Sequence, residues 1–354
     1  MSLIQTLPDG PLDIIGDVHG EADALHALLG HLGYDLQGWH PQGRTLVFVG
    51  DFCDRGPDSP AVLTLVGQLV ASGRAVAVLG NHELNLLRSD AKDGSGWFFD
   101  ERTQRDYDKY APFNRPTTGQ RQGIMDFVSS LPLALERTDL RVVHAAWNDD
   151  AIQAVRRLPS GSIRQSFDQW EQAIERRARE AGLAERAKAE LAAWGASLDD
   201  PASKPPVLDA LAEQEVGRQM GNPIKVLTSG VERETREPFF TSGRWRFAER
   251  VRWWNEYTSA TPVVVGHYWR LIHPIDRTAV GKEDPNLFEG IAPLHWHGRR
   301  GNVFCVDFSA GGRWRERKSG KAPGVDFKLA ALRWPERTVL YDDGSQHKTE
   351  GFQA

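Results

Sequence analysis

The sequence is poor in cysteine, with only Cys53 and Cys305 among 354 residues. Neither residue belongs to a paired-thiol motif, which argues against a disulfide framework and favours a reduced, cytoplasmic setting. No apolar run approaches the length of about eighteen residues that a membrane span needs, and the N-terminus lacks the pattern of a signal peptide. The formal net charge of -5 gives no overall attraction to nucleic acid or anionic lipid. We therefore expect a cytoplasmic globular protein with no membrane association.

Three short apolar runs open the sequence, and each one ends in polar or charged residues. They cover residues 12–16, 45–50 and 75–80. The segments that follow them have apolar residues at helical spacing, and the second begins with Ser59 as the predicted N-cap and Pro60 in the first turn. This βαβαβ pattern with near-continuous apolar strands predicts a parallel sheet that is buried on both faces. Such sheets carry their functional sites at the carboxyl ends of the strands.

Four later apolar runs are predicted strands, at residues 141–145, 262–267, 302–308 and 337–341. A long insertion separates the first two of these runs. Its residues 167–194 have two amphipathic helical patterns that break near Gly182. We expect an N-terminal half of an α/β core, an inserted helical cap, a C-terminal half of the core and a tail, at residues 1–150, 151–225, 226–345 and 346–354.

Side chains that bind metals or phosphate follow the predicted strands at their ends. These residues are Asp17, His19, Asp51, Asp54, Arg55, Asn81, His82, His144 and His267. Taken singly, an Asp-x-His or an Asp-x-x-Asp-Arg motif is more often a helix cap or a surface ion pair than a metal site. Coincidence is a poor explanation for three successive βα units with such endings, so we expect the side chains to meet at one edge of one sheet. Imidazole and carboxylate together suit manganese, iron or zinc.

The number of ligands is enough for two divalent transition-metal ions. The predicted ligands of the first ion are Asp17 and His19, and those of the second are Asn81, His144 and His267. Asp51, at the end of the central strand, is expected to bridge the ions with its two carboxylate oxygens. Two ions about 3.5–4 Å apart clamp a phosphoryl group and turn a bridging water into hydroxide. This arrangement predicts hydrolysis of a phosphate ester or anhydride by direct attack of that hydroxide.

The remaining residues have distinct expected roles. Arg55 is predicted to hold a phosphate oxygen through its planar guanidinium. His82 cannot easily share an ion with its neighbour Asn81, so it is the predicted general acid for the leaving oxygen. Asp54 is expected to orient the His82 ring. Asp307 is expected to support the site by accepting a hydrogen bond from a ligand histidine.

The blocks GDVHG, GDFCDRG and GNHE, followed by single histidines, resemble the calcineurin-like metallophosphoesterases. The second block resembles their phosphoprotein-phosphatase branch. The wider sequence is similar to bacterial symmetrical diadenosine tetraphosphatases and to the phosphatase module of bacterial polynucleotide kinase-phosphatases, from Leu12 to about Leu340 without the cap. The resemblance implies a four-layer α/β/β/α sandwich with the same metal ligands, acid pair and phosphate arginine. It also implies manganese as the expected metal, with iron or zinc as alternatives.

The substrate prediction has one favoured class and two rivals. We expect a small nucleotide-type phosphate such as a dinucleoside polyphosphate, or else the phosphorylated end of a nucleic acid. A serine/threonine protein phosphatase is the alternative enzyme, and a catalytically idle binding or scaffold protein is less favoured because every ligand residue and the acid histidine are present. The sequence predicts no particular protein partner.

The sequence leaves open which arginine is the second phosphate contact and which tryptophans contact the substrate. Relatives often have a second phosphate-binding arginine, and the guesses for it are Arg233, Arg244 and Arg270. Four of the 12 tryptophans lie close in sequence to ligand positions, and each is a candidate for stacking on a nucleobase or, more often, for core packing. These four are Trp147, Trp253, Trp254 and Trp269.

Overall fold

The computed structural model describes residues 2–241, 243–275 and 284–353. Within these ranges the chain forms the strands β1 (Ile4–Thr6), β2 (Leu12–Ile15), β3 (Thr45–Phe48), β4 (Ala75–Ala77), β5 (Ala134–Arg137), β6 (Leu140–Val143), β7 (Glu232–Thr241), β8 (Arg244–Arg250), β9 (Val263–Val265), β10 (Val303–Cys305), β11 (Ala330–Trp334), β12 (Thr338–Tyr341) and β13 (Gln346–Lys348). The apolar runs found in the sequence correspond to β2, β3, β4, β6, β9, β10 and β12. The other strands were not predicted.

The helices include the two that were predicted between the first three strands. They are α1 (Ala22–Leu32), α2 (Ser59–Ala71), α3 (Asn81–Leu87), α4 (Thr103–Tyr110), α5 (Thr118–Ser130), α6 (Asp149–Val155), α7 (Ile163–Glu180), α8 (Leu183–Trp194), α9 (Asp209–Met220), α10 (Pro223–Ser229) and α11 (Arg313–Lys318). None of these described helices is both long enough and apolar enough to cross a membrane. The N-cap of α2 is Asp58, which accepts the N–H of Ala61, so the prediction of Ser59 as the cap was wrong. The Ser59 hydroxyl accepts the N–H of Asp54 instead.

The core strands form two sheets. One has the order β1-β5-β6-β9-β10 and the other β13-β12-β11-β2-β3-β4. β2, β3 and β4 run parallel as predicted, whereas β11 lies antiparallel to β2. The expectation of one sheet was wrong, because β6 and β9, which precede the two later histidines, pair with each other in the second sheet. β6 has 4 residues and β9 has 3. The sequence of such short apolar strands does not show which sheet they join.

Two buried clusters show how the layers stack. Alternate strand residues such as Ile14, Val47 and Val264 form one cluster between the two sheets. Strand residues that point the other way, such as Phe48 and Val143, pack with residues of the helices. Because successive residues of a strand face opposite sides, each sheet is covered by the other sheet on one face and by helices on its outer face. The fold is therefore the four-layer α/β/β/α sandwich that the resemblance implied.

The insertion forms a cap with its own small core. α7 and α8 are the two amphipathic helices predicted there, and Gly182 between them has a φ of 61°. Leu183 and Leu211 of the cap helices share a buried cluster with Trp245 and Phe247 of β8. β7 and β8 form a two-stranded antiparallel sheet of their own, so this hairpin packs with the cap helices. The predicted division of the chain at residue 225 stays a prediction.

Part of the predicted tail also has a regular structure. Residues 346–348 form β13, which pairs antiparallel with β12 at the edge of the six-stranded sheet. Short polar strands at a sheet edge have no apolar pattern, which is why the sequence gives no sign of this one.

Candidate metal centre

The predicted ligands lie just beyond the carboxyl ends of five strands. Asp17, Asp51 and Asn81 follow β2, β3 and β4 of the six-stranded sheet. His144 and His267 follow β6 and β9 of the five-stranded sheet. The parallel strands of each sheet end at one edge, and the stacking of the sheets brings these two edges together. The ligands therefore come from both layers of the sandwich.

Asp51 lies between two groups of imidazoles. Its Oδ1 is 3.4 Å from Nε2 of His144, and its Oδ2 is 3.7 Å from Nε2 of His19. Ligand atoms of Asp51, His19 and His82 lie within 4.8 Å of one another, and so do those of Asp51, His144 and His267. The two oxygens of one carboxylate thus face two separate sets of nitrogen donors, which is the geometry that a bridging ligand requires.

Asn81 adds an oxygen donor to the second group. Its Oδ1 is 3.2 Å from Nε2 of His144 and 2.8 Å from Nδ1 of His267. Nε2 of His267 is buried and has no hydrogen-bond partner among the described residues. Two imidazoles, an amide oxygen and a carboxylate form a donor set that suits a borderline transition metal.

Backbone carbonyls orient two of the imidazoles. Nδ1 of His19 is 3.0 Å from the carbonyl oxygen of Cys53, and Nδ1 of His144 is 2.7 Å from that of Val49. When Nδ1 carries the hydrogen, the lone pair of each ring is on Nε2, the atom that faces Asp51. Metal-binding histidines in proteins are commonly held in this way, so the residues present fit a metal centre.

The surroundings of Asp17 disfavour its negative charge, whereas those of Asp51 favour it. Asp17 is buried, and it accepts the N–H of His267 at 3.0 Å. Burial and then the charges of Asp307 and Asp51 raise the pKa of Asp17 well above its ordinary value. Burial also acts to raise the pKa of Asp51, but the surrounding imidazoles, His144 first, hold this pKa well below its ordinary value. Divalent cations would supply positive charge at this site.

Arg55 lies between His19 and His82. Its Nη1 is 3.0 Å from Nε2 of His19, and its Nη2 is 3.1 Å from Nε2 of His82. Burial and then the charge of Arg55 lower the pKa of His19 well below its ordinary value, so His19 stays neutral, as a metal ligand must. On the other side of the His82 imidazole, Nδ1 is 2.5 Å from Oδ2 of Asp54. The structure thus brings the predicted acid, its partner carboxylate and the predicted phosphate arginine together.

Trp97 supports the His82–Asp54 pair and escaped the sequence analysis. Its indole N–H donates to Oδ1 of Asp54 at 2.6 Å, and the side chain is 1% exposed. Both carboxylate oxygens of Asp54 are therefore bound, which fixes the orientation of the carboxylate toward His82. Trp97 lies 43 residues after Asp54 and belongs to no motif, so only the fold reveals the contact.

Backbone strain is concentrated at this site. Of the nine non-glycine residues with positive φ in the described parts of the chain, five are predicted site residues: His19, Asp51, Asp54, Arg55 and His267, with φ values of 48°, 52°, 73°, 70° and 70°. Residues with a side chain rarely adopt this conformation, and each instance costs on the order of 1–3 kcal/mol. Strain of this kind clusters at functional sites, where the surrounding structure enforces it.

Glu83 holds the loop that carries Asp51, a role that the sequence analysis did not assign. Its buried carboxylate accepts the N–H groups of Asp51 and Phe52, both at 2.8 Å, and the N–H of Gly80 at 3.2 Å. Cys53 donates its N–H at 3.3 Å and its thiol at 3.2 Å. Glu83 thus ties the loop after β3 to the loop after β4.

We expect Glu83→Gln to lower the free energy of unfolding by about 2–4 kcal/mol. The glutamine amide replaces one acceptor oxygen with a donor group that faces backbone N–H donors, and buried donors without an acceptor are costly. Urea unfolding followed by circular dichroism measures the change. The matched control is Glu237→Gln, at an exposed surface residue that pairs with Lys204, which should unfold like the wild type. Equal stability of the two variants would contradict this role of Glu83.

Asp307 contacts the backbone beside the last predicted ligand. Its carboxylate accepts the N–H of Trp269 and the N–H of Ser309, both at 2.7 Å. These bonds hold the chain that follows His267, and the negative charge of Asp307 acts on Asp17. The predicted hydrogen bond from a ligand histidine to Asp307 stays a prediction.

A segment of just under half of the chain, which holds most of these residues, matches a known family. Residues 10–179 match the model of the calcineurin-like phosphoesterases. This match shows a similarity to the calcineurin-like phosphoesterases over that part of the chain. An asymmetrical bis(5'-nucleosyl)-tetraphosphatase of Oceanobacillus iheyensis is 49% identical over 80 residues, which are 22% of this chain and 32% of the relative. Another, from Bacillus velezensis, is 37% identical over 149 residues, 40% of this chain and 58% of the relative.

The similarity to these relatives is partial. The chain spans about a third of the length of the first relative and less than two thirds of the second. A solved structure of a candidate diadenosine tetraphosphatase covers 96% of this chain and 97% of its own at 16% identity, with a TM-score of 0.42.

A cavity of about 470 Å³ lies above the candidate centre. Asp51, Asn81, His82 and His267 are among its lining residues. The cationic lining residues are Arg55, Lys109, Arg246, Arg250 and Arg315, and the aromatic ones are Tyr110, Phe239, Trp269 and Trp314. The cavity thus combines several positive charges with aromatic surface next to the predicted metal ligands.

The three arginines that were guessed as second phosphate contacts lie elsewhere. The Arg270 guanidinium is buried and donates to the backbone carbonyls of Cys305, Ala292 and His295. Arg233 pairs with Glu249, and Arg244 is exposed on the hairpin. None of the three is among the residues that line the cavity.

Arg250 is the arginine on β8 that acts on the candidate centre. It lines the cavity, and after burial its charge is the largest influence that lowers the pKa of His267. The sequence holds no motif around Arg250, and it lies 17 residues before His267 in a hairpin that was not predicted.

Only one of the four candidate tryptophans lines this cavity. Trp269 does so and lies over the guanidinium of Arg55, with 5.1 Å between the ring centroid and Cζ. Trp254 is buried in the core. Trp147 and Trp253 border a neighbouring cavity of about 810 Å³. Trp314, which lines the main cavity from α11, was not considered because it lies far from the ligand motifs in sequence.

Proposed function

We propose that this protein is a dinuclear metal-dependent phosphoesterase that hydrolyses phosphate monoesters or anhydrides of nucleotide type. The observation that carries the proposal is the position of Asp51, whose two oxygens face His144 on one side and His19 on the other. No simpler role accounts for a buried carboxylate with donors of both groups around it. The similarity of residues 10–179 to the calcineurin-like phosphoesterases supports the same chemistry.

The proposed roles of the residues follow from their contacts. Asp17, His19 and Asp51 would hold one ion, and Asp51, Asn81, His144 and His267 the other. Two such ions, when bound, would supply positive charge for the phosphoryl group and would lower the pKa of a water molecule, which favours direct hydrolysis without a covalent intermediate. The family commonly takes manganese, and the nitrogen and oxygen donors also suit iron or zinc.

Four further residues would act on the phosphate and the leaving group. Arg55, between His19 and His82, would hold a phosphate oxygen. His82 would protonate the leaving oxygen while Asp54 fixes its ring. Arg250 would be the second phosphate contact. Asp307 would support the site through the backbone after His267.

A nucleotide-type substrate is supported by the lining of the cavity. Several cations suit a chain of phosphates, and the rings of Trp269 and Trp314 suit nucleobases. The names of the tetraphosphatase relatives agree with this class. The phosphorylated end of a nucleic acid has the same phosphate and base groups and is the second proposed substrate. We also propose a cytoplasmic setting, since the two buried cysteines are unpaired thiols.

The rival functions are less well supported. A protein phosphatase needs an open groove for a polypeptide, whereas the cap hairpin walls one side of this cavity with Phe239, Arg246 and Arg250. An idle scaffold protein has no need for strained, buried ligands at positions such as His19 and His267. The protein therefore retains the features of a working centre.

A substrate panel with and without manganese tests the proposal. The purified chain, stripped of metal, should hydrolyse p-nitrophenyl phosphate and diadenosine tetraphosphate only after manganese is added, and it should act on a phosphopeptide far more slowly. Chelator should abolish the rate and added manganese should restore it. Absence of any manganese-dependent rate on the whole panel would refute the enzyme, and a preference for the phosphopeptide would favour the protein phosphatase.

A further inference from the structure

β8 has two faces of different composition. Trp245 and Phe247 are buried against the cap helices, whereas Arg246, Ala248 and Arg250 line the cavity above the candidate centre. Because alternate residues of a strand share a face, the sequence RWRFAER places aromatic residues toward the cap and basic residues toward the cavity. One wall of the cavity is therefore formed by the hairpin that packs with the cap, and not by the sandwich.

Phe239 on β7 lies beside Arg246 on β8. The two residues are direct partners across the hairpin, so their side chains are neighbours on the same face. Both line the cavity, and Phe239 is partly exposed there. An aromatic ring offers a stacking surface to any nucleobase, and a guanidinium matches the geometry of phosphate. Together the two side chains have the chemistry that recognises a nucleotide.

Glu215 of α9 fixes this part of the hairpin. Its Oε2 accepts the N–H of Phe247 at 3.0 Å and that of Ala248 at 3.1 Å, and it lies 3.4 Å from Nε of Arg246. Arg246 is thus anchored at Nε, while its two terminal nitrogens make no hydrogen bond to any residue that the structure describes. The guanidinium is held in place with its terminal donors available to a ligand.

We propose that Phe239 and Arg246 bind the distal nucleotide of a nucleoside polyphosphate, with Arg246 on a phosphate beyond the scissile one and Phe239 stacked on the base. Arg250, unlike Arg246, is among the main influences on the pKa of the predicted ligand His267, and Arg246 is four residues earlier, about 13 Å along the strand. The polyphosphate would run along β8 away from the ions. This inference rests on the proposed function, because it requires the scissile phosphate at the centre. It also gives the cap a function, the selection of substrate.

Three manganese-dependent substrates separate the roles of the two residues. They are diadenosine tetraphosphate, inorganic tripolyphosphate and p-nitrophenyl phosphate. For Arg246→Gln we expect kcat/KM on diadenosine tetraphosphate and on tripolyphosphate to fall about tenfold or more relative to kcat/KM on p-nitrophenyl phosphate. The reason is the loss of a charged hydrogen bond to phosphate. For Phe239→Leu we expect kcat/KM on the dinucleotide to fall about tenfold relative to tripolyphosphate, because only the dinucleotide has a base to stack.

Arg244→Gln is the matched control for the arginine. Arg244 lies on the same strand and face, two residues from Arg246, but it is exposed and outside the cavity lining, so this variant should keep all three rates. An Arg246→Gln variant that lowers all three rates equally, or none of them, would overturn the inference. So would a wild type that hydrolyses p-nitrophenyl phosphate but neither polyphosphate. Failure of the wild type on all three substrates would instead refute the proposed function itself.

Discussion

Asp51→Asn is expected to lose bound metal and to lower manganese-dependent turnover by at least about a thousandfold. An amide has one oxygen donor and no charge, so it cannot link two cations. Metal ions contribute several kcal/mol to the stabilisation of a phosphoryl transition state, and each 1.36 kcal/mol is worth about a factor of ten in rate. Metal analysis of the purified variant and p-nitrophenyl phosphate kinetics give the two readouts.

Asp13→Asn is the matched control for Asp51→Asn. Asp13 is equally buried but lies 2.9 Å from Nε of Arg44, on strand β2 and away from the ligands. This variant should be less stable, since it breaks a buried ion pair, yet it should keep its metal and its rate per folded molecule. Retention of both ions by Asp51→Asn, or equal metal loss in Asp13→Asn, would refute the assignment of Asp51 as the bridge.

His82→Ala is expected to keep both ions and to slow the hydrolysis of poor leaving groups by about 10²–10⁴-fold. General acid catalysis contributes about this much when the leaving oxygen needs a proton. A substrate with a good leaving group, such as p-nitrophenyl phosphate, needs the proton less and should lose much less rate. The measurement is the rate of hydrolysis of a series of aryl phosphates with rising leaving-group pKa. In the variant, this rate should fall more steeply with leaving-group pKa than in the wild type.

The competing role of His82 is that of a metal ligand. The side chain lies with His19 and Asp51 in a group that is compact enough to bind an ion. A ligand role predicts loss of metal and an equal fall in rate for all leaving groups. Asp54→Asn should reproduce the pattern of His82→Ala in weaker form, because Oδ2 of Asp54 contacts Nδ1 of His82 and none of the predicted ligands. A loss of metal in either variant would contradict the acid role.

The part of the site that the sequence predicts is the part that lies at strand ends. A short apolar run followed by Asp17 or Asp51 identifies both the strand and the residue that its end presents, since parallel strands end at one edge. The capping of α2 was misplaced by one residue, from Asp58 to Ser59. The expectation that all ligand-bearing strands belong to one sheet was wrong, because the pairing of β6 with β9 depends on packing between distant segments.

The supporting and specificity residues are those that the sequence does not predict. Trp97 and Glu83 act through hydrogen bonds to Asp54 and to the Asp51 loop, and neither bond has a sequence pattern. Arg246 and Arg250 lie on a hairpin that was not predicted. Their alternation with Trp245 and Phe247 can be interpreted only when the two faces of β8 are known. Such residues are reached through tertiary contacts and not through local spacing.

The stoichiometry of manganese binding is the most direct test of the dinuclear site. Titration calorimetry of the metal-free wild type, with electron paramagnetic resonance of the loaded protein, measures both the number of ions and their proximity. We expect two manganese ions per chain and the spectrum of a spin-coupled pair, because the two groups share one carboxylate. A single ion, or two ions with the spectrum of isolated centres, would contradict the bridging role of Asp51.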